Sequence, residues 1–154
     1  MMSRLRLCLF LMLGAVASLR ADPAAGPAGW DRVSIGPMKT SIYVGSVTLK
    51  TAVLERTGST LTATYEANVF PWFFWSETGK ITLMLADADL ANLAKGVRAG
   101  FSGGATNQKN KPRQVTGYAQ PGDATAGKIK VRIMVDGMEL IFNGTYKLGA
   151  GEQK

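Results

Sequence analysis

Apolar and polar residues alternate with a two-residue period through most of the chain, the spacing of strands with one buried and one wetted face. The cleanest run is Thr60 to Val69. Leu61, Ala63, Tyr65, Ala67 and Val69 fall on one face; Thr60, Thr62, Thr64, Glu66 and Asn68 fall on the other. Upstream, Ser41 to Glu55 alternates at Ile42 and Val44 and then at Val47, Leu49 and Val53, with the phase changing at Gly45-Ser46. A phase slip at glycine predicts a β-bulge or sharp bend inside one strand. Arg56-Thr57-Gly58-Ser59 reads as the turn closing a hairpin with the next strand.

Further along, Ile81, Leu83 and Leu85 predict a short strand, Val97 to Phe101 another that ends at Gly103-Gly104, and Gln114 to Gln120 a third. The strongest pattern comes last. Ile129, Val131, Ile133 and Val135 alternate with Lys128, Lys130, Arg132 and Met134, and Met138, Leu140, Phe142, Tyr146 and Leu148 return after Asp136-Gly137. Asp-Gly between two alternating runs is a preferred two-residue hairpin, because both turn positions tolerate positive φ. The period changes once: Asp87 to Lys95 (DADLANLAK) predicts a helix. Asp87 would be its N-cap, Asp89 and Lys95 would complement the helix dipole, and Gly96 would stop it. Leu90, Leu93 and Val97 would face the sheet. About seven or eight strands, one helix and no βαβ rhythm predict a mainly β chain: a single antiparallel β-sandwich or small β-barrel. Alternation alone does not separate those two closures.

The N-terminus breaks the pattern. Arg4 and Arg6 precede an uncharged apolar stretch from Leu7 to Ala17, and Ala15-x-Ala17 supplies a small-residue cleavage pattern. Residues 1–21 therefore read as a signal peptide cut after Ala17 or Ala21. The apolar run falls short of the roughly 20 residues of a membrane helix, and no comparable run recurs in the mature chain. The expected organisation continues with a flexible Pro/Ala/Gly linker at 22–29, a β domain at 30–149 and a frayed tail at 150–154. Export is the expectation, periplasmic first and extracellular second.

Composition then narrows the chemistry. The chain has no histidine, and its one cysteine, Cys8, lies in the expected leader. This excludes Ser-His-Asp and Cys-His nucleophilic sites and His or Cys metal sites in the mature domain. No cofactor or metal is expected. Loss of Arg4, Arg6 and Arg20 would lower the net charge of +7 to +4, with 15 basic against 11 acidic residues. The excess concentrates late, where Lys109, Lys111, Arg113, Lys128, Lys130 and Arg132 are candidate anion-facing residues. Such a surface suits an envelope component or anionic surface, and export argues against nucleic acid; a solvated face that keeps a β protein soluble explains the same charges.

The most unusual stretch is Phe70-Pro71-Trp72-Phe73-Phe74-Trp75, five aromatics in six residues. In an extended chain these rings would point to both faces, and a sheet with one wet face buries only one set. Either a helix or loop covers the second set, making the block core, or Phe70, Trp72, Phe73, Phe74 and Trp75 form an exposed binding surface. Other patterns select nothing. Asp87 and Asp89 lack the remaining oxygen ligands of a calcium loop. Glu66, Asp87, Asp123 and Glu139 show no spacing that marks a catalytic carboxylate pair. Ala28-Gly29 before Trp30 does not meet the Gly-x-Trp spacing of lipocalin-like carriers. The expectation is an exported, non-catalytic β domain that binds or supports envelope structure. The alternative is a small β-barrel carrier of an apolar ligand, which would enclose an apolar cavity on the order of a few hundred Å³.

Overall fold

The computed structural model describes residues 29–149. The expected leader, all of the linker but Gly29, and the tail lie outside these residues. Ten strands form one antiparallel sheet: β1 (Arg32–Ile35), β2 (Met38–Ile42), β3 (Gly45–Thr51), β4 (Leu54–Thr57), β5 (Thr60–Phe70), β6 (Glu77–Met84), β7 (Ala99–Asn107), β8 (Pro112–Pro121), β9 (Ala126–Val135) and β10 (Met138–Leu148). The sheet closes on itself. Going round, β1, β4, β5, β6, β7, β8, β9 and β10 each pair with the next, and β10 returns to β1, while the hairpin β2–β3 extends from the ring along β5. The chain is thus a closed eight-stranded barrel with two outer strands, the barrel alternative of the two expected closures.

The predicted slip at Gly45-Ser46 is a two-residue hairpin turn. Ile42 pairs with Gly45 across Tyr43-Val44, so β2 and β3 are separate strands. Gly45 is required there because a side chain would run into the backbone of Phe70. The bulge lies further on: four steps from Thr51 to Glu55 oppose three from Tyr65 to Thr62, which leaves one residue extra at Ala52-Val53. β1 and β2 keep a common register against β4 and β3 across Gly36-Pro37, with Val33 opposite Leu54 and Met38 opposite Leu49. β10 pairs only with β1 on that side, so the wall is split between β2 and β10, with Met38 lying against Gly144.

The alternating faces are those expected. Leu61, Tyr65, Val69, Ile81, Leu83, Ile129, Val131 and Ile133 are buried in the lumen. β7 runs straight through Gly103-Gly104 instead of ending there, and Gly103 lets the neighbouring backbone of Thr82 approach. The helix α1 (Asp87–Ala94) begins at Asp87, and its N-cap is Ala86 with no side-chain cap bond. Asp87 instead takes the Arg56 guanidinium at 3.3 Å. Leu90 and Leu93 are buried as expected, whereas Val97, beyond the end of the helix, is exposed.

Because successive ring strands alternate in direction, the connections segregate. Tyr43-Val44, residues 71–76, residues 108–111 and Asp136-Gly137 gather at one end, the mouth. Trp30, α1, residues 121–124 and Leu148 gather at the other, the base. Trp30 closes the base on Tyr146, ring centroids 5.4 Å apart. Large buried side chains fill the lumen, including Tyr146, Phe142, Leu49 and Leu54. The void left among Trp30, Leu61, Leu83, Phe101 and Tyr146 measures about 20 Å³, room for one water and no ligand. Outward positions on the walls are largely polar, among them Glu66, Lys80, Gln114, Lys128 and Arg132. That is the reverse of the apolar outer band of a membrane-spanning barrel. Among the described residues no helix is long and apolar enough to cross a membrane.

Candidate functional site

The aromatic block is not core. β5 ends at Phe70, and Phe73–Trp75 form a single 3-10 turn with no buried residue. The turn is held by its own backbone: Trp75 N donates to Trp72 O and Ser76 N to Phe73 O, at 2.9 and 3.0 Å. The Ser76 hydroxyl accepts from Val69 N, which ties the turn back to the end of β5. Side chains therefore splay outward, with Phe73 67% and Phe74 70% exposed. The rings pack on one another, with Phe70–Phe73, Trp72–Phe74, Trp72–Trp75 and Phe74–Trp75 centroids 5.3–5.8 Å apart. Trp72 Nε1 donates to Val44 O at 3.2 Å, joining this cluster to the β2–β3 turn, where Tyr43 is fully exposed. Offset and edge contacts of this kind hold aromatic rings in place without burying them.

Inside the mouth lies a cleft of about 500 Å³. Val47, Val69, Val135 and Leu140 line its apolar part, Phe74 and Trp75 stand on its rim, and Lys109 and Lys111 flank it. Its floor is a buried polar network. Glu77 Oε1 accepts from the Tyr65 hydroxyl at 2.9 Å, and Oε2 accepts from Asn107 Nδ2 at 3.0 Å and from Arg113 Nη2 at 3.1 Å. Arg113 Nη1 donates to Asp136 Oδ1 at 3.1 Å.

Burial alone would raise the Glu77 pKa, but the hydrogen bonds from Arg113, Asn107 and Tyr65 outweigh it and hold the carboxyl below the ordinary glutamate range. Tyr65 is pushed up, first by burial and then by its bond to Glu77, so its hydroxyl stays protonated. Tyr65, Asn107 and Arg113 thus all donate to the Glu77 carboxylate, which ties β5, β7 and β8 to the start of β6 across the mouth. The same Asn107 also orders the lysine loop: its Oδ1 accepts from Lys109 N and Lys111 N at 3.0 and 2.9 Å.

The structure separates the six candidate cations. Lys109 and Lys111 stand at the mouth beside the aromatics. Arg113 does not face solvent anions; it is 7% exposed and paired with Glu77 and Asp136. Its inward phase on β8, shared with Val115, directs it there. Lys128, Lys130 and Arg132 line the outer wall of β9, away from the cleft. Arg132 meets Glu139 at 3.7 Å, and Lys130 approaches the Tyr118 ring that Arg98 covers at 4.2 Å. Glu77, Tyr65, Asn107 and the Tyr43-Val44 turn carry no motif in the sequence. Glu77 was nonetheless findable, since it lies in phase with Ile81 and Leu83 and so points inward. Among the described residues no group of three or more His, Cys, Asp or Glu side chains could hold a metal ion.

The fold and site define a small closed β-barrel with a filled lumen, a sealed base and an aromatic, lysine-flanked mouth. No protein-family model matches the chain, and no curated protein or solved structure does either.

Proposed function

We propose that this is an exported, non-catalytic β-barrel binding module of the cell envelope that works through its mouth. The observation that supports it most is the aromatic block, held outward at the end of the barrel whose cleft is lined by Val47, Val69, Val135 and Leu140. Large exposed apolar patches on a folded chain mark places where something else docks. The polar floor supports a binding role over a chemical one, since its carboxylate is saturated and its tyrosine is held protonated. The test is photocrosslinking in the exporting cell, with the reactive side chain at Phe74 or, as control, at Lys128 on the outer wall. Adducts with envelope components are expected from the mouth and not from the wall; equal labelling, or none from Phe74, would refute the reading. Export itself predicts a mature N-terminus after Ala17 or Ala21, read by mass spectrometry of the protein recovered outside the cytoplasm.

The carrier reading retains one supporting observation, the mouth cleft of about 500 Å³. Below the mouth cleft the packing weighs against carriage deeper in the barrel, because the void among Trp30, Leu61, Leu83, Phe101 and Tyr146 is about 20 Å³ and admits no ligand. Native mass spectrometry with an added fatty acid separates the two: a retained one-to-one complex supports the carrier.

A further inference from the structure

Which class of partner fits the mouth follows from what the cleft leaves uncovered. Phe74, Trp75, Tyr43 and Val44 border the cleft, but Phe70 and Phe73 are not part of its lining and are 61% and 67% exposed. A small molecule seated in the cleft would leave these two rings in water. They pack edge to face at 5.8 Å as an apolar pair outside the cleft. From Phe70 to Trp75 there is no charged side chain, and the indole nitrogens are the only side-chain hydrogen-bond donors. Two ammonium groups, Lys109 and Lys111, flank the same end on a loop fixed by Asn107. Aromatic rings that seek the boundary between acyl chains and headgroups, beside fixed cations, match a surface that is apolar within and anionic at its face.

We propose that the mouth docks on an anionic lipid bilayer, with Phe70, Phe73, Phe74 and Trp75 entering the headgroup–acyl boundary and Lys109 and Lys111 meeting lipid phosphates. This deepens the binding-module reading and rests on it. The barrel would sit on the membrane by one end, its polar walls in water.

The protein recovered after export is mixed with phosphatidylcholine vesicles, with or without phosphatidylglycerol. Binding is read by cosedimentation and by tryptophan emission. Trp30 is buried at the base, so an emission shift reports Trp72 and Trp75. Preferential binding to the anionic vesicles with a blue shift is expected. The Phe70→Ser plus Phe73→Ser double variant should lose about tenfold or more in partitioning. Lys109→Glu plus Lys111→Glu should lose about tenfold or more on anionic vesicles only, and added salt should weaken the parent in the same way. Circular dichroism confirms the fold of each variant, and all carry the parent's N-terminal segment, so the differences isolate the mouth. The proposal is overturned if the parent binds anionic and neutral vesicles equally or neither, or if the Phe70/Phe73 variant binds as the parent does. Protein adducts from Phe74 without vesicle binding would leave the binding module standing and reject the bilayer.

Discussion

Glu77 and Arg113 show how single residues hold this barrel's open end together. Neither is exposed enough to be solvated on its own, and each satisfies the other while Tyr65, Asn107 and Asp136 complete their bonds. Removing the Glu77 charge leaves the buried Arg113 with only the exposed Asp136 as ionic partner, so Glu77→Gln should cost on the order of 3 kcal/mol, read from urea denaturation near neutral pH. The Glu77 pKa is lower folded than unfolded. Its contribution is therefore present above the ordinary glutamate pKa and is lost as pH falls through the folded value. The parent should lose stability across that acid window, and Glu77→Gln should lose less there, giving a flatter profile. Thr51 presents the opposite case. Its Oγ1 is buried in the lumen with no hydrogen-bond partner, so Thr51→Val, similar in shape and suited to a strand, should raise stability by about 1 kcal/mol in the same assay.

Elements followed the sequence where two local signals agreed. In the β9–β10 hairpin, alternation and turn chemistry point the same way, and Asp136 and Gly137 adopt φ of 49° and 85°. Gly137→Val keeps open space around the new side chain but forces a branched residue into the left-handed region, so it should cost about 1–2 kcal/mol in thermal unfolding. Where only one signal is present, the structure departs from the local pattern. At Tyr43-Val44 no Asn, Asp or Gly occupies the turn, so the hairpin looked like a bulge at the glycine that follows. At Ala52-Val53 the real bulge is unmarked, because neither residue is special to bulged backbone. At Asp87 the acid is drawn to Arg56, thirty-one positions away, and leaves the cap to Ala86.

For the whole molecule, closure decides which aromatics matter for folding and which for contact. Trp30 is 5% exposed and seals the base against Tyr146, so Trp30→Ala should cost about 3–5 kcal/mol. Phe70→Ser plus Phe73→Ser removes two larger-than-average apolar side chains, yet both point into solvent, and the thermal midpoint should shift little, within about 0.5 kcal/mol per site. A large loss of stability in that variant would mean that these rings pack against the barrel. Closure also sorts the cations: once β8 and β9 take their places in the ring, Arg113 turns inward and Lys128, Lys130 and Arg132 turn outward, though all four belong to one basic stretch of sequence.

By itself, the sequence determined the strand class, the inner and outer faces and the last hairpin, because side-chain alternation and turn chemistry act between near neighbours. It also marked the aromatic block as a segment whose two faces a single sheet does not bury. Only the tertiary structure decided that the sheet closes into a barrel, that its lumen is full, and that the block stands in solvent beside Lys109 and Lys111. The reason is physical: closure, lumen volume and the Glu77–Arg113 pair depend on residues thirty or more positions apart, and no local pattern records how such strands meet.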